Sequence, residues 1–301
     1  MQERYVLTSR EINRDLLNFA LTTPRGFWFA AIPLAIVFGA MMFALGYMLY
    51  WGLGVTGLNR PVMWGFMITN FVFWVGISHA GVMISAILRL SQAEWRRPVT
   101  RAAEVMTVFA LATAAFFPLI HTGRPWRALY WVFPYDFNRG IWPQVRSALI
   151  WDPSAIFTYL TGSSLFVYVA LIPDLAIARD HSTGWRRTLY SILSLGFRGT
   201  TRQWRLQTLA GILLSALILP VFVSVHSIVS WDFAMALIGS WHVTVFAPYF
   251  VIGAVWSGVS AVVTLMVILR TAFGLQKYLT PDHFDAIGRL LFLVGNAWFY
   301  F

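Results

Sequence analysis

Apolar runs longer than about eighteen residues recur at roughly 27–50, 62–90, 101–120, 155–177, 206–227 and 242–269, each long enough to cross a hydrocarbon core of about 30 Å as a helix. In lipid every backbone polar group must be satisfied within the protein, so such runs fold as helices or as strands of a closed barrel. The runs are continuously apolar rather than alternating in polarity, which excludes the barrel. With 58% hydrophobic and 11% charged residues, the chain reads as an all-α, polytopic helical membrane protein with six complete spans. A seventh run begins near 284. From Ile287 to Phe301 it would rise about 22 Å, short of the membrane thickness, so at least seven transmembrane helices are expected and the protein is expected to continue beyond Phe301.

Residues 1–24 form a polar lead-in without the apolar core of a cleavable signal peptide. There Thr8, Ser9 and Glu11, followed by Ile12, Leu16, Leu17 and Phe19, predict a capped amphipathic helix lying along the membrane surface. Residues 25–301 then read as a single transmembrane domain. Basic residues fix the orientation: 16 lie in connections on the side of the N-terminus against 5 on the other, so the N-terminus is placed in the cytoplasm. The net charge of +10 comes from 22 basic residues, of which all but Lys277 are Arg, most of them flanking apolar spans. Membrane topology accounts for that pattern, and nucleic acid is not an expected partner. The chain has no cysteine, which removes iron–sulfur ligation, covalent haem attachment, thiol catalysis and disulfides.

On this topology the loops at 51–61, 121–154 and 228–241 face outward. Four of the five outward basic residues sit in the long loop that follows span three, where topology alone disfavours them. Polar residues at the outer helix ends converge there. His121 ends span three, Arg124 lies one turn further on, Asp152 precedes span four, His226 ends span five, and His242 opens span six just after Asp232. Trp126, Trp142, Trp151, Trp231 and Trp241 ring them. Taken singly, Asp152 and Asp232 can be helix N-caps, and His226 and His242 can be interfacial residues in contact with water. Taken together, the ring suits a quinol. Its two hydroxyls need a base within reach of each, and its ring needs an aromatic slot. A His oriented by an Asp meets the first need. With no ligand set for a metal in the chain, the electrons must leave to a partner docked on the outer face.

Within the membrane, His79 stands mid-span among Gly76, Ser78, Gly81 and Ser85, and Glu104 falls in the first turn of span three. They can form a proton relay; alternatively His79 bonds a neighbouring helix and Glu104 caps its own. A membrane anchor holding b-type haem would need facing His pairs, and His79 is the only His that the runs place mid-span. A secondary transporter would need broken helices, for which Pro220 and Pro248 are the candidates.

The strings GISHAGVMISAILRL, FFPLIHTGRPW, WDPSAIFTYL, LIPDLAIARD and SWHVTVFAPYFVIGAVWSG resemble the NrfD-like, polysulfide-reductase C type membrane proteins. Among them the chain is most similar to the ActC type of alternative complex III, from about Thr23 onward. The resemblance implies about ten helices in two four-helix bundles, in a bacterial inner membrane. It implies a site near the outer surface that binds and oxidises menaquinol or ubiquinol, with His121, Asp152 and Asp232 at the family's quinol positions and a further Arg supplied from helices beyond Phe301. Arg124, Trp151, His226 and His242 are the further candidates for that site. The implied partners are an iron–sulfur subunit on the outer face, a multihaem cytochrome c, a second NrfD-like subunit and membrane lipids. No haem, cluster or metal is expected on this chain itself.

Overall fold

The computed structural model describes residues 7–23, 26–59, 65–121, 123, 125–127, 148–235 and 243–301. Among these, nine helices form: α1 Ser9–Leu21, α2 Gly26–Trp51, α3 Gly65–Leu90, α4 Arg96–His121, α5 Ala148–Asp180, α6 Gly184–Leu193, α7 Thr201–Phe233, α8 Phe246–Ala272 and α9 Pro281–Tyr300. Six of them, α2, α3, α4, α5, α7 and α8, are long and apolar enough to cross a membrane. α9, with Asp282, Asp285 and Arg289 in its first half, is not among the six.

The helix ends differ from the apolar runs in an informative way. α5 and α7 are both 33 residues long, because tertiary packing continues a helix past the point where lipid stops favouring it, even through residues of modest helical propensity such as Asp152 and Asp232. Asp152 therefore lies inside α5 rather than capping it, Asp232 lies in the last turn of α7, and His226 sits seven residues inside α7, about 10 Å from its end. Glu104 is likewise eight residues past the start of α4, too deep to cap it. α7 runs unbroken through Pro220, and Pro248 falls in the first turn of α8, where a missing N–H costs nothing. The broken helices expected of a transporter do not occur at either proline.

The chain divides into two compact units, residues 1–50 with 171–204 and residues 51–170 with 205–301. In the first, α1 opens with the capping box that its sequence predicts. Thr8 Oγ1 accepts from the Glu11 N–H at 3.3 Å, and Glu11 Oε2 accepts from the Thr8 N–H at 2.9 Å. Arg186 of α6 donates to the Leu21 carbonyl at 2.9 Å and ties the two amphipathic helices together. α2 is apolar all round and buries only Met48.

The second unit is organised around α3, whose residues 75–86 are all buried. Small residues let its neighbours come close. A Cβ on Gly81 would lie 2.6 Å from the Ala103 carbonyl of α4, and a Cβ on Gly258 of α8 would lie 1.9 Å from the Cβ of Ala80. A layer of Met83, Ile84, Val99, Phe222, Val259, Val262, Met266 and Ile287 fills the space between α3, α4, α7, α8 and α9. α8 and α9 lock reciprocally, Trp298 lying over Gly253 and Trp256 over Gly295, with the two indoles stacked at 5.0 Å.

Candidate functional site

Three chemically distinct groups of buried polar residues follow from this packing, all within the second unit. The first lies where α4 and α7 end and α5 begins. Asp152 is 6% exposed and His121 7% exposed. Asp152 stands near the start of α5 and Asp232 in the last turn of α7. Phe71 of α3 joins the group, its ring edge-on to His121 at 5.8 Å and to Phe233 at 6.1 Å. Val75, Ala114, Phe117, Ile156 and Phe233 pack around Phe71, so His121 borders an aromatic and aliphatic core.

The carboxylates are unusual in what they lack. Asp152 Oδ1 and both oxygens of Asp232 are buried without a hydrogen-bond partner among the described residues. A buried polar atom left in that state costs on the order of 1–3 kcal/mol, and a carboxylate in the last turn of a helix also opposes the helix dipole. Neither feature is explained by capping. Trp151 is partly exposed beside Asp152. Arg124 and His242, the other expected members of the group, lie outside the described residues.

The second group is mid-membrane. His79 of α3 and His226 of α7 meet Nδ1 to Nδ1 at 3.0 Å. Phe222 lies edge-on to His79 at 5.3 Å, and Tyr159 of α5 hydrogen-bonds Ser78 at 2.7 Å. Thr107 of α4 donates to the Ser78 carbonyl at 3.2 Å. His226 is therefore not at the outer end of its span but at the depth of His79, and His79 does have a facing partner. The pair does not make a haem site in this arrangement. A metal held between two imidazole nitrogens would separate them by two bonds of about 2 Å each, whereas these nitrogens are in direct contact. Among the described residues no group of three or more His, Asp or Glu is arranged to hold a metal ion. Tyr159 is not among the residues that the sequence singles out. Its signal is its spacing, seven residues from Asp152 and so two turns along one face of α5.

The third group surrounds Glu104, which is 2% exposed. Ser85 donates to Glu104 Oε1 at 2.7 Å, Arg101 pairs with Oε2 at 2.7 Å, and Arg89 lies 3.6 Å from Oε1. Arg89 in turn fills the space beside Gly211 of α7. The basic residues that the sequence assigns to topology thus include two that neutralise a buried acid. Ser85 and Ser78 are seven residues apart on α3, so this group and the histidine pair lie about 10 Å apart along one helix.

Comparison with known proteins agrees with this architecture. Residues 54–295 match the family model described as polysulphide reductase, NrfD. A protein of Halobacterium salinarum, assigned by name as a candidate membrane subunit of a dimethyl sulfoxide reductase, is 27% identical over 281 residues, which is 92% of this chain and 59% of the relative. This chain therefore spans a little under two thirds of that relative's length. Buried polar clusters on a packed helical frame, and a family match over most of the residues, lead to one assignment: the chain belongs to the polysulphide reductase NrfD family.

Proposed function

We propose that this chain is the quinol-binding membrane subunit of a multi-subunit oxidoreductase, and that quinol is oxidised at the end of the membrane bundle where His121, Asp152 and Asp232 meet. The observation that carries the reading is the bare state of the carboxylates. Buried oxygens without donors are what a dihydroxy aromatic ring satisfies with its two O–H groups, and Phe71, edge-on to both His121 and Phe233, offers aromatic neighbours for such a ring. Oxidation releases two electrons and two protons. The carboxylates, with His121 beside them, receive the protons as general bases, and the electrons pass to an iron–sulfur subunit docked at the same end. The Arg count places that end outside the cytoplasm. On this reading the basic residues that follow α4 in sequence recruit that partner, and Arg124 and His242, outside the described residues, remain candidates for contact with the quinol, as does Trp151. Residues His79, His226, Tyr159, Ser78 and Thr107 form a polar seam between the carboxylates and Glu104, and on this reading they relay protons across the membrane.

The resemblance to the ActC type sends the electrons onward to c-type haems beside a second NrfD-like subunit in a bacterial inner membrane, with menaquinol or ubiquinol as donor. A second reading keeps the same quinol chemistry and sends them to a reductase, which the name of the Halobacterium relative favours. The choice of acceptor by the purified complex separates the two. The shared claim is tested by photo-crosslinking an azido-quinone to the complex in membranes. Adducts on the peptides holding Phe71, Asp152 and Phe233 are expected, displaced by excess quinone. Adducts confined to other helices would overturn the site.

A further inference from the structure

Between α5 and α7 the connection does more than turn the chain. α6 is amphipathic, and its apolar stripe is uncovered. Trp185, Leu189 and Ile192 follow at i, i+4 and i+7 on one face and are 71%, 41% and 67% exposed. Leu195 extends the stripe at 68% exposure, held at φ 49°, in the left-handed region that residues with a side chain rarely enter. An exposed leucine in that conformation calls for something that holds it there. The surrounding turn is built to do so. Arg179 donates to the Phe197 carbonyl at 2.9 Å and to Ser194 Oγ at 3.2 Å. Gln203 accepts from the Arg198 and Thr200 N–H groups at 2.8 and 3.3 Å and donates to the Gly196 carbonyl at 3.2 Å. Phe197 is buried edge-on to Trp204.

This frame presents two exposed guanidinium groups, Arg198 and Arg202, neither of which makes an ion pair among the described residues. The only acid between residues 175 and 210 is Asp180, and Arg179 binds it at 2.8 Å. An uncovered apolar stripe ending in a rigid turn with unpaired cations has the chemistry of an anionic phospholipid site, with acyl chains against Trp185, Ile192 and Leu195 and the headgroup phosphate on the arginines. We infer that α6 and its following turn insert into the bilayer surface and hold an anionic phospholipid through Arg198 and Arg202. The inference rests on the membrane fold and is independent of where quinol binds.

The absence of cysteine makes the test direct. Spin labels are placed at single cysteines, Ile192→Cys, Leu195→Cys and, on the opposite face, Ser191→Cys, in the assembled complex in phosphatidylglycerol nanodiscs. Labels at 192 and 195 are expected to collide with oxygen and to be shielded from a water-soluble nickel chelate, with the reverse at 191. Equal access of the chelate at all three places the stripe in water and overturns the inference. Exclusion of both reagents at 192 and 195 until the partner subunits are stripped makes the stripe a protein interface and overturns it as well. Arg198→Gln with Arg202→Gln, followed by titration of phosphatidylglycerol with native mass spectrometry, is expected to weaken retention roughly 30-fold, at about 1 kcal/mol per arginine. Unchanged retention refutes the headgroup site even if the stripe inserts.

Discussion

Replacing Glu104 by Gln removes one charge and little volume from a site that is 2% exposed, so its cost can be worked out contact by contact. The Ser85 hydroxyl, 2.7 Å from Oε1, keeps an acceptor but loses the charge assistance, which is worth about 1 kcal/mol. The Arg101 pair is short, at 2.7 Å, but Arg101 is 41% exposed, which limits it to about 1 kcal/mol. Arg89, 27% exposed and 3.6 Å away, contributes less than that directly. It is then left beside Gly211 and Phe166 without its counter-charge. The sum is about 2–3 kcal/mol, and Glu104→Ala, which also removes the acceptor, approaches the roughly 3–5 kcal/mol of a broken buried pair. The assay is thermal unfolding of the purified complex in nanodiscs, where Glu104→Gln is expected to lower the apparent Tm by roughly 5–10 °C. In a double-mutant cycle with Ser85→Ala, the two losses should fall short of additivity by about 1 kcal/mol. An apparent Tm within about 1 °C of the parent for both Glu104 variants would refute the claim that this carboxylate is held by its three partners. If Glu104 also relays protons, Glu104→Gln slows proton-coupled turnover at temperatures where the complex is intact.

Two further substitutions probe the frame around the histidine pair. Gly258→Ala puts a Cβ 1.9 Å from that of Ala80, where ordinary carbon contacts are about 3.5–4.0 Å, so α3 and α8 must separate. It should cost at least ~1–3 kcal/mol in the same unfolding assay, whereas Gly288→Ala, with nothing within 4 Å, should be neutral. Tyr159→Phe removes the hydroxyl that bonds Ser78 at 2.7 Å and should cost about 1–3 kcal/mol by leaving Ser78 buried and bare. Adding Ser78→Ala should recover part of the loss, and a further loss in the double variant would show that the pair is not a mutual one.

How far the sequence alone reaches is clear from individual residues. The number and order of the membrane helices follow from apolar runs, and Thr8 with Glu11 is enough to predict the start of α1, because a capping box is a local signal. Helix ends are less legible. Hydropathy reports which residues prefer lipid, and Trp231 and Asp232 prefer water while remaining helical. That single difference moves His226 from the outer surface to the middle of the membrane, where it meets His79. Tyr159 escapes a reading of the sequence because its one signal, a seven-residue spacing from Asp152, looks like ordinary helical periodicity inside an apolar run, and its role depends on Ser78, 81 positions away. α6 is hidden inside a connection whose most visible feature is its charge, although the spacing of Trp185, Leu189 and Ile192 carries the helical period. The pairing of Arg89 and Arg101 with Glu104 is masked in the same way, since both arginines also satisfy the topology rule.

The central claim is that Asp152, Asp232 and His121 take protons from a bound quinol. It is tested most directly by steady-state quinol oxidation in the intact complex carrying Asp232→Asn, with Asp152→Asn and His121→Ala beside it, each checked for the presence of its partner subunits. The account predicts fully assembled complexes whose turnover falls by about 10²–10⁴-fold, with quinone still bound in the Asn variants. Assembled complexes that oxidise quinol at the parental rate in all three variants would contradict it and leave these residues as parts of the helix packing.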